Sequence, residues 1–169
     1  MIITKVCTRC GKEKPLTDFY KHKLSKDGHA FQCKDCSLER SRAYSKTPAG
    51  IHSRLRGRAL YYKTKPFELR RDEFVDWYET QPKKCIYCDI TAEDLPRLSD
   101  PFNDFSHRLT VDCKENLIGY QINNIVLACR RCNSIKSDIL TFDEMMYIGQ
   151  NFIKPKWKAR LEGTANTTE

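Results

Sequence analysis

Four C-x-x-C pairs, Cys7/Cys10, Cys33/Cys36, Cys85/Cys88 and Cys129/Cys132, take up eight of the nine cysteines in this 169-residue chain. Two residues between paired thiolates let a tight turn aim both sulfurs at one ion, and two such turns close a tetrahedral site. Taken in chain order, Cys7, Cys10, Cys33 and Cys36 group around one zinc, and Cys85, Cys88, Cys129 and Cys132 around another. Cys113 is left over. A lone C-x-x-C is as readily a redox dithiol, but four in one chain point to two structural Zn²⁺ ions. The competing use of so many cysteines is the disulfide framework of a secreted protein. The opening MIITKVCTRC carries no apolar signal region, which favours thiolates in a reducing compartment, cytoplasmic or nuclear.

Hydrophobic content of 40% and a mean hydropathy of −0.65 are thin for one large core. Ion sites compensate, since a structural zinc contributes on the order of 10 kcal/mol to folding. No apolar run approaches the roughly 18 residues of a membrane span. The net charge of +8 is unevenly spread. Between Ser37 and Arg71 stand Arg40, Arg42, Lys46, Arg54, Arg56, Arg58, Lys63, Lys65, Arg70 and Arg71, opposed only by Glu39 and Glu68. Tyr44, Tyr61, Tyr62 and Phe67 are interleaved. A charge run is ordinarily a solvated face, but arginine-rich, acid-poor density beside a zinc module favours a polyanion, with DNA or RNA the natural partner. A membrane surface is disfavoured, because no amphipathic segment carries bulky apolar anchors.

Residues 1–46 are expected to form an N-terminal zinc-binding module, with short strands or loops between its thiolate turns and a helix leaving at Ser37. Residues 47–84 form a basic helical, DNA-contacting region. Thr47 and Pro48 look like an N-cap and first helical residue, opening a helix to about Tyr62. KTKPFEL is an extended link. Phe74, Trp77 and Tyr78, at i, i+3 and i+4, mark an amphipathic helix that ends before Pro82. Residues 89–106 read as a polar loop. The stretch from His107 to Cys113 reads as a strand and that from Asn123 to Cys129 as its partner, followed by a helix from Cys132 to about Ser137. Thr141 and Glu144 have capping-box spacing and open a last helix with Phe142, Met145, Met146, Ile148 and Phe152 as its apolar set. Residues 163–169 read as a disordered tail.

From Cys85 the chain reads CIYC and then LTVDCKENLIGYQINNIVLACRRCNSIKSD. This resembles the HNH (ββα-metal, His-Me finger) endonuclease family, in the version where a four-cysteine zinc site staples the catalytic hairpin and helix. The matching pattern is a strand ending in Asp, a GY-x-x-x-N loop, a short strand ending in C-x-x-C, then Asn and a downstream Lys. It is strong over roughly residues 65–150 and looser over the N-terminal module. The fold it implies is α+β: a small zinc-stapled ββα-metal core over residues 85–162, with the zinc-knuckle module and basic helices before it. The family pattern places Asp112 and Asn133 as oxygen ligands to a catalytic Mg²⁺ or Mn²⁺, a hard ion whose shell water and phosphate complete. Asn124 is placed in the same constellation, pinning the loop through its side chain. Outside that context an Asp or Asn is ordinarily a turn or cap residue. The implied DNA contacts are Arg40, Arg42, Arg54, Arg56, Arg58, Arg130, Arg131 and Lys136, the last equally readable as a solvated helix lysine.

One position departs from the pattern. The family has His, or in its restriction-type members Arg, directly after the metal Asp, and this chain has Cys113. A thiol cannot replace an arginine's phosphate contact, and a half-buried, inert cysteine is the expected state. Tyr120 in the GY loop is the favoured general base, although a phenol with a pKa near 10 needs a large electrostatic shift to serve. His107 would lie about 16 Å from Asp112 by strand rise. His52 lies on the basic helix, and His22 and His29 lie within a module already supplied with four thiolates. Two functions of different class fit. One is a metal-dependent endonuclease hydrolysing double-stranded DNA, for which a restriction-type homodimer and a phage- or mobile-element-borne nicking enzyme, in a bacterial or phage-infected cell, both match the family. The other is a non-catalytic zinc-dependent nucleic-acid-binding protein that kept the scaffold, with Cys113 in its favour and the Asp112/Asn133 pair against it.

Overall fold

The structure, a computed structural model, describes residues 3–63, 65–98 and 108–165. The chain divides into two units, Met1–Arg54 and Leu55–Glu169. Among the described residues no helix is long and apolar enough to cross a membrane.

The first unit is built on two small antiparallel hairpins. β1 (Thr4–Val6) pairs with β2 (Glu13–Pro15), and β3 (Phe19–Lys21) pairs with β4 (His29–Cys33). β4 runs directly into α1 (Lys34–Lys46), which starts three residues before the expected Ser37 because Cys33, still extended, acts as its N-cap. The buried cluster here is Cys7, Phe19, Cys33 and Cys36. One phenyl ring and three sulfurs make a poor apolar core, so the stability of this unit rests on what the sulfurs bind. α2 (Pro48–Tyr62) begins at the expected proline, and the Gly50 N–H donates to Thr47 Oγ1 at 3.1 Å, the N-cap bond foreseen from Thr-Pro.

The second unit carries α3 (Arg71–Thr80), which buries Phe74 against Trp77 and Tyr78. β5 (Leu109–Cys113) and β6 (Ile125–Cys129) pair antiparallel in the register Leu109↔Cys129 through Cys113↔Ile125. All five residues of β6 are buried. The strand is hydrogen-bonded beyond β5 as well, Ile86 N–H donating to Leu127 O at 2.9 Å. α4 (Arg130–Lys136) leaves β6 without a break and packs on both strands. The expected capping box is present: Thr141 and Glu144 exchange hydrogen bonds at the start of α5 (Phe142–Ile148).

Three expectations need correction. The last helix is not continuous: α5 passes into a π turn over Gly149–Ile153 and then α6 (Lys154–Ala165). Phe152, the last member of the expected apolar set, lies in this π turn and is 56% exposed. Residues 163–165, read as part of the tail, are helical, and 166–169 lie outside the described residues. Within the expected loop of residues 89–106, a 3-10 turn over Leu95–Leu98 buries Leu95. Residues 99–107, including His107, lie outside the described residues, and the strand is described from Leu109.

Candidate active site and cysteine clusters

Each cysteine cluster joins a tight turn to a strand–helix junction. Cys33 ends β4 and Cys36 lies in the first turn of α1, just as Cys129 ends β6 and Cys132 lies in the first turn of α4. The ligand atoms of Cys7, Cys10, Cys33 and Cys36 all lie within 4.8 Å of one another, as do those of Cys85, Cys88, Cys129 and Cys132. Cys88 Sγ and Cys129 Sγ are 3.8 Å apart. A tetrahedron with Zn–S bonds of about 2.3 Å has an edge of about 3.8 Å, so the grouping fits zinc and is far too open for a disulfide at about 2.05 Å. Backbone hydrogen bonds from Cys10, Cys33 and Arg9 hold the Cys7 thiol down to about 6, in the thiolate form a zinc needs. At the second cluster Cys129 is also the N-cap of α4, its sulfur accepting from Cys132 N–H at 3.4 Å. One residue thus ends a strand, starts a helix and points at the ion.

The β5–β6 hairpin and α4 assemble the residues named for chemistry. Asn133, half-buried on α4, donates from Nδ2 to Thr110 Oγ1 at 3.0 Å and to Val111 O at 3.4 Å. That spends the amide nitrogen on β5, one residue short of Asp112, and leaves Oδ1 as the atom to offer a cation. The Asp112 side chain is 4% exposed, with Lys136 Nζ 3.9 Å from Oδ2. Tyr87 Oη donates to the same oxygen at 2.7 Å. Burial raises the Asp112 carboxyl above its ordinary range, opposed by the Tyr87 hydrogen bond and by the charges of Lys136 and Lys65. One carboxylate and one amide oxygen are a sparse set, suited to a hard ion that takes phosphate and water for the rest of its shell.

Asn124 holds the loop between the strands. It accepts from Glu115 N–H at 3.0 Å and donates to Glu115 O at 2.8 Å and Gly119 O at 2.7 Å. Gly119 has φ +77°, and a Cβ there would overlap the Pro66 backbone. The close approach lets Tyr120 N–H donate to Pro66 O at 2.9 Å and Glu68 N–H to Tyr120 O at 3.0 Å. The Tyr120 ring lies 5.7 Å from that of Phe67. Burial pushes the Tyr120 phenol up to about 12, with the Arg58 charge pulling the other way.

No family model matches the sequence, and no curated protein matches it. Among solved structures, the chain is similar to the rare-cutting HNH restriction endonuclease PacI, at 25% identity and a TM-score of 0.56, over 91% of this chain and 96% of that one. The chain shares the fold of an HNH endonuclease. The likeness runs over both units rather than the hairpin and helix alone.

On this HNH fold the expected DNA-contacting arginines are all surface residues: Arg40 and Arg42 on α1, Arg54, Arg56 and Arg58 on α2, and Arg130 and Arg131 at the start of α4. Lys136 is a correction. Expected either at a phosphate or as a solvated helix lysine, its side chain is 1% exposed and donates to Cys113 O at 2.9 Å. The Cys113 carbonyl and the Asp112 carboxylate keep it inside. Cys113 is fully buried rather than half-buried, and burial pushes its thiol up to about 11. His52 is buried on α2.

Two participants escaped the sequence. Tyr87 drew no reading from the sequence, and Lys65, which bonds to Asn116 Oδ1, read only as part of the basic run and its extended link. The C-x-x-C spacing says nothing about which acceptor the enclosed tyrosine hydroxyl meets, so no local signal marked either residue.

Proposed function

We propose that the protein is a metal-dependent endonuclease that hydrolyses phosphodiester bonds in double-stranded DNA, with two structural zinc ions and a catalytic Mg²⁺ or Mn²⁺. The observation that carries this is the seating of the Asn133 amide nitrogen on Thr110 and Val111 of β5, next in sequence to Asp112, on a hairpin that ends in a four-cysteine cluster. The likeness to an HNH restriction endonuclease supports the same reading. Asp112 and Asn133 would hold the divalent ion, which when bound neutralises charge developing on the scissile phosphate and the leaving oxygen. The exposed arginines of α1, α2 and α4 would hold the DNA backbone. Tyr120 would take the proton of the attacking water; burial works against this role and the Arg58 charge for it.

The test of the activity is supercoiled plasmid incubated with Mg²⁺ or Mn²⁺, with and without EDTA. Metal-dependent nicking or linearisation supports the enzyme. A gel shift with no cleavage supports a DNA-binding protein on the same scaffold. That second reading has an observation of its own: a carboxylate 4% exposed beside a buried lysine also serves as a structural ion pair.

Tyr120→Phe keeps the ring on Phe67 and deletes only the hydroxyl. As general base, its loss lowers single-turnover cleavage on the order of 100-fold or more, while Cys113→Ser leaves the rate nearly unchanged. The reverse pattern would put the buried thiol in the reaction instead.

DNA affinity is expected to carry the mark of α2. Arg54 and Arg58, one helical turn apart, share a face. Charge reversal of both should weaken binding to all sequences alike and flatten the dependence of log K on log salt by about two counterions. An unchanged slope in fluorescence-anisotropy titrations removes this helix from the interface.

A further inference from the structure

The Tyr87 side chain is fully buried between the zinc-cluster residues Cys85 and Cys88, yet its hydroxyl reaches out of that turn to Asp112 Oδ2 at 2.7 Å. Lys136 Nζ approaches the same oxygen at 3.9 Å. Oδ1 is the oxygen that these two side chains leave over, and the Cys113 N–H also bonds the carboxylate. Tyr87 is itself held at its ring and at its carbonyl. Its ring lies 5.6 Å from that of Phe142, and its carbonyl accepts Gln150 Nε2 at 2.9 Å. Gly149 packs so closely that a Cβ there would overlap the Tyr87 carbonyl. A buried tyrosine hydroxyl needs some acceptor, and many neutral carbonyls would serve. Here it takes the carboxylate at the end of β5.

We propose that Tyr87 is a positioning residue, which fixes the Asp112 carboxylate so that Oδ1 is presented to the catalytic metal and thereby ties that site to the Cys85–Cys88–Cys129–Cys132 cluster. This rests on Asp112 being a metal ligand. A ligating carboxylate left to rotate offers its oxygen only part of the time, and losing such an outer partner costs about 10- to 100-fold in metal affinity or activity. The coupling gives the second cluster a function beyond folding: the turn that holds a zinc also aims the neighbouring ligand.

The experiment uses the full, zinc-loaded chain with Mn²⁺ as probe, following free Mn²⁺ by electron paramagnetic resonance in the absence of DNA. Tyr87→Phe is expected to raise the Mn²⁺ dissociation constant about tenfold or more, with zinc content, melting temperature and DNA affinity near those of the wild type. Should Tyr87→Phe lose zinc or melt, Gln150→Ala decides, because it withdraws the amide holding the Tyr87 carbonyl, together with its bonds to Asp89 and Lys154, and keeps the Tyr87 hydroxyl; a smaller shift in the same direction is expected. Unchanged Mn²⁺ affinity in a folded variant overturns the proposal and leaves the hydroxyl merely satisfied. Asp112→Asn separates the two levels: if it keeps wild-type Mn²⁺ affinity, the ligand assignment fails, and if it loses Mn²⁺ while Tyr87→Phe does not, only the positioning role fails.

Discussion

Asp112→Ala protein should bind double-stranded DNA as tightly as the wild type, or slightly more tightly, and cleave it about 10³-fold more slowly or worse. The rate effect follows from the metal: a Lewis acid at the scissile phosphate supplies several kcal/mol, and each 1.36 kcal/mol is about tenfold. The binding effect follows from charge, since removing a carboxylate from a site that meets a polyanion relieves repulsion. Asp112 is also buried against Lys136 and Tyr87, so truncation leaves the Lys136 ammonium without its ion partner and the Tyr87 hydroxyl without its acceptor, and costs stability too. Asp112→Asn is therefore the companion variant, because its amide oxygen still accepts from Tyr87 while the charge is gone. Both should be inactive in single-turnover cleavage and active in gel shift. Normal cutting by Asp112→Asn would remove the carboxylate from the chemistry.

Loss of Cys85 or Cys129 to Ser should unfold the β5–β6 hairpin with α4, whereas loss of Cys7 or Cys33 should leave that core folded and mainly weaken DNA binding. Cys129 closes β6 and caps α4, and the residue after Cys85 hydrogen-bonds to Leu127 at the centre of β6. A four-thiolate site contributing on the order of 10 kcal/mol is comparable to the entire stability of a typical domain, roughly 5–15 kcal/mol. Elemental analysis should find about two zinc ions per wild-type chain and about one in each folded variant. Far-ultraviolet circular dichroism and amide dispersion in NMR report the fold. About one zinc in the wild type would break the pairing of the thiolate turns, and collapse of both classes of variant alike would show that the two units do not fold independently.

Much of the first layer of this architecture is local, and local features are legible. The C-x-x-C spacing sets which sulfurs share a turn, Thr47-Pro48 starts α2, and Thr141 with Glu144 starts α5, because each device involves groups within three or four residues of one another. The interruption of the last helix was not legible in this way. Gly149 is compatible with an unbroken helix; the π turn there accompanies its packing against the Tyr87 backbone, 62 residues earlier.

The candidate site divides along the same line. By itself the sequence determined the two thiolate sets, the basic helices, and the strand–loop–strand–helix order that brings Asp112 and Asn133 into one motif. Only the tertiary structure decided what those side chains meet. Lys136, Tyr87 and Lys65 each sit in an unremarkable local context, yet one is locked inside by the Cys113 carbonyl, one grips Asp112, and one reaches Asn116. Whether a polar group is a surface contact or a buried partner depends on an acceptor supplied from distant chain, and the cost of leaving it unpaired inside is what selects that partner. Periodicity and spacing carry no record of that choice, so the ligands were readable and the network that aims them was not.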